Sequence, residues 1–337
     1  MTTSFVITML IKRTKPLKAA SSIADEQINF SDASQIVFFV LFSMGYPETF
    51  YGFCVGGPKS WNKFQKCEIK PKPFGDHDVD VQIDACGICS SGLHVTGGWG
   101  EYKGPLCLGH EVVCKAVGVG KHVKNTKVGD RVGVGAQVWS CLECDNCKDN
   151  NQNDYTRMVD TYNALNEVSS WTHGGSRHIS AHDYFIFKIP EKLEANAVAP
   201  LLCAGITTYS LLVRAGWAVA LGAKAIVIAH SPGKVEYCKK LGTNDVIITE
   251  KEGSNKPWRA KFDFVLNRAD VTDKFDMVNY LSIINLTGDF HMVGISDKPF
   301  PHISAGLFAS GVPKLTGSHL GNHQEMDALQ RLLRRRV

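Results

Sequence analysis

Near residue 205 the chain changes its hydrophobic rhythm, and that change limits what it can fold into. Before it, short β-branched runs are punctuated by glycine. Asp78-Val79-Asp80-Val81-Gln82-Ile83 alternates polar and apolar, the pattern of a half-buried strand. Glu111–Val119 and Asp130–Val134 are β-branched runs punctuated by glycine, so a compact β-barrel-like domain is expected. After the change, Ala225-Ile226-Val227-Ile228-Ala229 is continuously apolar, as a buried strand is. Pro232–Leu241 follows as a helix with Gly242 as its stop. Further short strands are expected at 246–249, 262–266, 289–293 and 314–317, with helices between some of them. That alternation predicts an α/β domain with a mostly parallel sheet. Glu325–Arg336 reads as a final amphipathic helix whose arginines form a solvated face.

With 337 residues there is length for two domains, and 44% hydrophobic with 21% charged residues predicts packed globular structure. A net charge of +4 is too mild for a nucleic-acid or membrane-surface protein. The longest apolar run, Ile36–Phe42, falls well short of the ~20 residues of a spanning helix. Residues 1–43 show no sustained period and no motif. They are read as an extension expected to stay disordered, ahead of domains at 44–204 and 205–337.

Eleven cysteines without a convincing signal peptide point to a reduced, cytosolic compartment. Several stand at metal-ligand spacings. Cys86–Glu111 holds Cys89, Ser91, His94 and the triplet Gly109-His110-Glu111. Zinc in a catalytic site takes three protein ligands and leaves a fourth position open. Cys89 and His110 offer two, and Cys203, within Ala199-Pro200-Leu201-Leu202-Cys203-Ala204-Gly205, offers a third. Taken alone, that buried cysteine would read as core. Cys141, Cys144 and Cys147, at two-residue intervals, form a second metal-like motif. An iron–sulfur run would need a fourth cysteine at 151, where the chain has asparagine.

These motifs, in this order, resemble the zinc-dependent medium-chain alcohol dehydrogenases, in their NADP-dependent cinnamyl-alcohol-dehydrogenase-like branch. The resemblance rests on Gly-Ile-Cys-Ser-Ser at 87–91, Gly-His-Glu at 109–111, Val-Gly-Asp-Arg-Val at 128–132 and the cysteine run at 141–147. It continues through 199–207 and His-Ser-Pro-Gly-Lys at 230–234. It implies a GroES-like catalytic domain joined to a Rossmann-type doubly wound domain. It implies a catalytic zinc on Cys89, His110 and Cys203, with Glu111 able to approach the metal. Ser91 and His94 would relay the substrate proton. Ser91, Thr207, Gly294 and Ser318 would line the cofactor, and Ser231 with Lys234 would hold the 2′-phosphate of NADP. Cys141, Cys144 and Cys147 would hold a structural zinc. A homodimer acting on small-molecule alcohols or aldehydes of the bulky or aromatic kind is the implied assembly and substrate class.

The chain departs from that pattern in places. The fourth structural ligand is replaced by Tyr155 or Thr156, and the aspartate after Ser91 by Gly92. A glycine is replaced by Cys114. No Gly-x-Gly-x-x-Gly occurs, and only Trp217–Lys224 occupies the place of the first Rossmann strand and its phosphate loop. A gap in the sheet and a weakened pyrophosphate anchor are therefore expected. So is a chain cut short, because the family returns to its catalytic domain after this point. The alternative function is a non-catalytic remnant that holds zinc but not nucleotide. A zinc-knuckle nucleic-acid module is a weaker third, since no basic and aromatic groove accompanies the cysteines.

Overall fold

The computed structural model describes residues 8–12, 49–97, 105–154, 158–165, 171–174, 176–214, 224–251, 253–269, 276–296, 299, 302–306 and 313–336. In chain order the strands are β1 (Thr8–Lys12), β2 (Phe50–Cys54), β3 (Gln65–Ile69), β4 (Asp78–Cys86), β5 (Val112–Val119) and β6 (Arg131–Val134). Then come β7 (Gln137–Trp139), β8 (Val159–Asp160), β9 (Tyr162–Leu165), β10 (Trp171–His173), β11 (His178–His182) and β12 (Ile186–Lys188). The last five are β13 (Lys224–Ala229), β14 (Asp245–Ile248), β15 (Phe262–Asn267), β16 (Ile284–Met292) and β17 (Lys314–Gly317).

The first half is antiparallel. A five-stranded sheet runs β11-β4-β5-β6-β12, with three two-stranded ribbons around it. Its core is β-branched: Val79, Val81, Val112, Val132, Val134 and Ile179 pack together. The expected alternation in β4 is covered on both faces, because Asp78 and Asp80 are buried as well. Each carboxylate has a partner that lets it leave water: Asp78 binds Lys72 and the Gly75 amide, and Asp80 accepts from Ser180. Cys114, where the resemblance expects glycine, is fully buried, and its thiol faces the Val132 carbonyl at 3.3 Å. The structure also joins Cys54 to Cys67, a disulfide that the expectation of an all-thiol chain did not include.

The second half is a six-stranded sheet in the order β14-β13-β1-β15-β16-β17. The pairs β13–β14, β15–β16 and β16–β17 are parallel, as expected of the α/β pattern. Phe262, Val265, Phe290, Ile226 and Ile228 form its core. The expected gap between β13 and β15 is filled. Thr8–Lys12 lies there, paired along its whole length to β13 and along Met9–Ile11 to β15, antiparallel to both. That part of residues 1–43 is thus a central strand rather than a disordered extension. Its sequence, Thr-Met-Leu-Ile-Lys, has the apolar run of a strand flanked on both sides. Without it, two facing strand edges would carry unpaired amides and carbonyls. Most of Trp217–Lys224, the stretch in the place of the first Rossmann strand and its phosphate loop, lies outside the described residues.

Two helices tie the halves together. The helix Ala204–Arg214 places Ile206 against Val113, Phe187 and Leu202, and Leu211 against Phe264 and Leu266 of the second sheet. The helix His323–Arg336 adds Met326 and Leu329 to the first of these clusters. Asn322 and Glu325 cap it reciprocally, with side chain to amide distances of 2.8 Å in both directions. Glu325 also accepts from Arg214 Nε at 2.7 Å and from Nη2 at 3.1 Å. Arg331 and Arg334 are exposed, the solvated face expected of them. Among the described residues no single helix is long and apolar enough to cross a membrane.

Candidate metal centre

Cys89, the adjacent pair His110 and Glu111, and Cys203 come from three places in the chain and meet at one point. Their ligand atoms all lie within 4.8 Å of one another. Cys89 follows β4 and is the N-cap of the helix Ser90–Thr96. His110 and Glu111 immediately precede β5, and Cys203 closes the turn before Ala204–Arg214. Gly87 leaves the room they need: an added Cβ would stand 1.9 Å from Glu111 Oε2.

The geometry fits zinc. Sγ of Cys89 and Sγ of Cys203 are 3.8 Å apart. Two thiolates on a tetrahedral zinc, each about 2.3 Å from the metal, stand at about that separation. The Cys203 thiol hydrogen-bonds Cys89 and, with His110 and Ser91 beside it, holds Cys89 down at about 3. The same contact, reinforced by burial, pushes Cys203 well above the ordinary thiol range. One proton shared between two sulfurs is what a divalent cation displaces, leaving two thiolates and one neutral imidazole around it. Burial, then the Cys89 charge, raises the Glu111 carboxyl.

Ser91 Oγ stands 3.4 Å from His110 Nε2, and the Tyr162 hydroxyl donates to it at 3.3 Å. The Tyr162 ring lies against His110, with centroids 5.4 Å apart. Burial raises the Tyr162 phenol, so it stays a donor. His94 lies one turn beyond Ser91 on the same helix. Tyr162, Asp160 and Arg268 belong to this centre and were not singled out from the sequence. Asp160 is a carboxyl raised by burial and biased by His319 and His110. Arg268 bears electrostatically on Glu111 and Cys203. None carries a spacing motif that would have found it.

The second cysteine group is also assembled. Cys141, Cys144 and Cys147 converge within 4.8 Å, with Cys141 and Cys147 sulfurs 3.9 Å apart. Tyr155 and Thr156 lie outside the described residues, and among the described residues the group has three ligands. A closed structural zinc site needs four.

The cofactor candidates collect past the carboxyl ends of the parallel strands, where such sheets bind nucleotides. Ser231 and Lys234 follow β13, at the two ends of the turn Pro232–Lys234. Gly294 follows β16 and donates to the Asn267 carbonyl at 3.2 Å. Ser318 follows β17 and meets His291 Nε2 at 3.2 Å. Thr207 Oγ1 donates to the His319 carbonyl at 3.3 Å, which brings the helix Ala204–Arg214 to the same edge. A hydroxyl and an ammonium suit the 2′-phosphate of NADP. The pyrophosphate is a different matter. β1 presents Thr8, its first residue, to this edge opposite Ile228. A strand arriving by its amino end cannot run on into the glycine turn and helix that cradle a pyrophosphate.

Comparison with known proteins agrees with this architecture. Residues 75–191 match the alcohol dehydrogenase GroES-like domain and residues 212–335 the zinc-binding dehydrogenase family. NADP-dependent alcohol dehydrogenase 6 of Saccharomyces cerevisiae is 35% identical over 320 residues, covering 86% of this chain and 87% of its own. A probable cinnamyl alcohol dehydrogenase of Oryza sativa is 32% identical, covering 75% of each chain. The structure superposes on a cinnamyl alcohol dehydrogenase from Sorghum bicolor with a TM-score of 0.79 at 27% identity, covering 84% of this chain and 87% of that one. The Helicobacter pylori enzyme solved with NADP(H) gives 0.77 at 28%, with the same coverage. With both halves matched and the branch shared by sequence and by structure, the chain belongs to the zinc medium-chain alcohol dehydrogenases, in their cinnamyl-alcohol-dehydrogenase-like branch.

Proposed function

We propose that this chain interconverts bulky or aromatic alcohols and their aldehydes, with zinc on Cys89, His110 and Cys203 and NADP as the hydride carrier. The observation that carries the reading is the donor set, with its two sulfurs at zinc-like separation. Bound zinc supplies Lewis acidity, lowering the alcohol's pKa or polarising the aldehyde carbonyl. Ser91 accepts the alcohol proton at Oγ and passes it along the helix toward His94. The Tyr162 hydroxyl, donating to Ser91, turns the serine's lone pair and proton to that task. Glu111 lies with the three ligands, and its carboxylate would offer a bound zinc a further oxygen. Thr207, Gly294 and Ser318 border the nicotinamide end, and Ser231 with Lys234 the adenosine end. A homodimer would need a free sheet edge, and β17, exposed along its length, is an edge strand among the described residues. A cytoplasmic setting suits the unpaired thiols of the metal centre.

One observation favours a second reading. Among the described residues, the antiparallel β1 leaves the pyrophosphate without its usual helix terminus, and on this reading the chain would hold zinc without turning over. Titrating NADPH into the purified chain and following its fluorescence separates the two. The dehydrogenase reading expects saturable binding in the micromolar range and NADPH-dependent reduction of cinnamaldehyde. No saturation up to millimolar NADPH, with zinc still bound, would establish the remnant.

A further inference from the structure

A second group of sulfurs lies under the β2–β3 ribbon and has no part in the metal centre. Cys54 and Cys67 sit diagonally across the ribbon and are joined, with Cα atoms 6.0 Å apart. The thiol of Cys107 stands 3.2 Å from Cys54 Sγ and 3.8 Å from Cys67 Sγ. Its position is set by the backbone. Val55 and Leu106 exchange amide-to-carbonyl bonds at 3.0 and 3.1 Å as an antiparallel bridge. One step further along that pairing, Cys54 faces Cys107 in a non-hydrogen-bonded position. Opposed Cα atoms there are about 4.5 Å apart, within the span a disulfide accepts. Gly52 makes the space, since a Cβ there would lie 2.2 Å from Cys107 Sγ. Phe50 and Ile69 close the apolar side.

A thiol in contact with one sulfur of a disulfide is the reactant pair for exchange. A cation held by all three sulfurs would need three thiolates, and the Cys54–Cys67 bond leaves one. We propose that Cys54, Cys67 and Cys107 form an internal thiol–disulfide exchange site that moves the sulfur outside the disulfide from buried Cys107 to half-buried Cys67. Once its side chain has turned from this side-on contact into line with the Cys54–Cys67 bond, Cys107 Sγ, as thiolate, attacks Cys54 Sγ. The Cys107–Cys54 bond forms as the Cys54–Cys67 bond breaks, and its electron pair goes to Cys67 Sγ. Cys67 then takes up the proton that Cys107 gave, with no net oxidation. Burial pushes the Cys107 thiol up to about 12, so its thiolate is scarce near neutrality and the exchange is slow. The exchanged form exposes a sulfur at Cys67 and ties Cys107, three residues ahead of His110, to β2.

The test is peptide-resolved disulfide mapping of the full chain after an acid quench and alkylation. The wild type should show mainly Cys54–Cys67 with a minority of Cys54–Cys107. In Cys67→Ser, hydrogen peroxide should couple the two remaining thiols, giving Cys54–Cys107 and two waters, in most chains. Gly52→Ala, which crowds Cys107, should lower the Cys54–Cys107 yield at least fivefold and leave Cys54–Cys67 in place. A second measurement covers a variant that does not fold: pulse alkylation of Cys67 should be at least fivefold faster in wild type than in Cys107→Ser. Equal rates there, or Cys54 and Cys107 both recovered as free thiols from folded, peroxide-treated Cys67→Ser, would overturn the proposal.

Discussion

A Cβ built on Gly92 meets Leu108 at 3.8 Å and the Tyr162 hydroxyl at 4.0 Å, ordinary contact distances. The space for the family's aspartate is therefore still there, one residue beyond Ser91. A carboxylate that orients a metal-bound imidazole raises affinity for the metal. Gly92→Asp should slow zinc loss to a chelator by about tenfold, read by metal analysis during dialysis. In the other direction, Cys89→Ser should cut catalytic zinc to well under a tenth of a site per chain, measured by mass spectrometry of the metal. At this scale the sequence was legible where chemistry restricts the residue type. Cysteine, histidine and glutamate had to be themselves to bind a cation, so Cys89, His110, Glu111 and Cys203 stood out before they met. Tyr162 and Arg268 act through nearness alone. A tyrosine two residues past Asp160 looks like any other until the fold lays it on His110.

Elements were legible in proportion to how local their causes are. The helix over 232–241 is a short 3-10 turn running into Val235–Lys240 and ends before Gly242, whose φ of +87° suits glycine. The strands at 225–229, 262–266 and 314–317 fall within a residue of expectation. The burial of Asp78 and Asp80 was not legible, because it depends on a local loop that turns Lys72 back onto Asp78 and on Ser180, which reaches Asp80 from a hundred residues further along the chain. The helix His323–Arg336 shows what such distant partners add. Glu325 caps its first turn and binds Arg214 through both oxygens. Glu325→Ala should lower stability by about 1–3 kcal/mol, since it removes a cap and leaves a half-buried guanidinium short of its partner. Urea unfolding of the variant beside wild type measures it. A change below 0.5 kcal/mol would mean that both contacts are idle.

Across the whole molecule, the two-domain plan was readable from the switch of period near residue 205, and the metal centre from three separated motifs. The central strand of the second sheet was not. Five residues give too short a window for any period to declare itself, and the partners of β1 lie more than two hundred residues away. Its weight can be tested at one position. Leu10 pairs with both Ile226 and Val265. Leu10→Pro removes an amide from the middle of the sheet and should cost about 3 kcal/mol or more. Loss of soluble protein, or a thermal midpoint lowered by several degrees, is the expected result. An unchanged midpoint would show that the sheet does not depend on β1.

The order in which the chain is made gives β1 a further consequence. A ribosome adding ~5–20 residues per second needs roughly 10–50 s to travel from Lys12 to Asn267. For that interval Thr8–Lys12 has been synthesised while its slot does not yet exist. Folding of the second half then includes the capture of an early segment by a late sheet, a contact of very long sequence separation and hence slow. Chaperones that shield short apolar segments would set the yield of this protein more than the stability of its finished form.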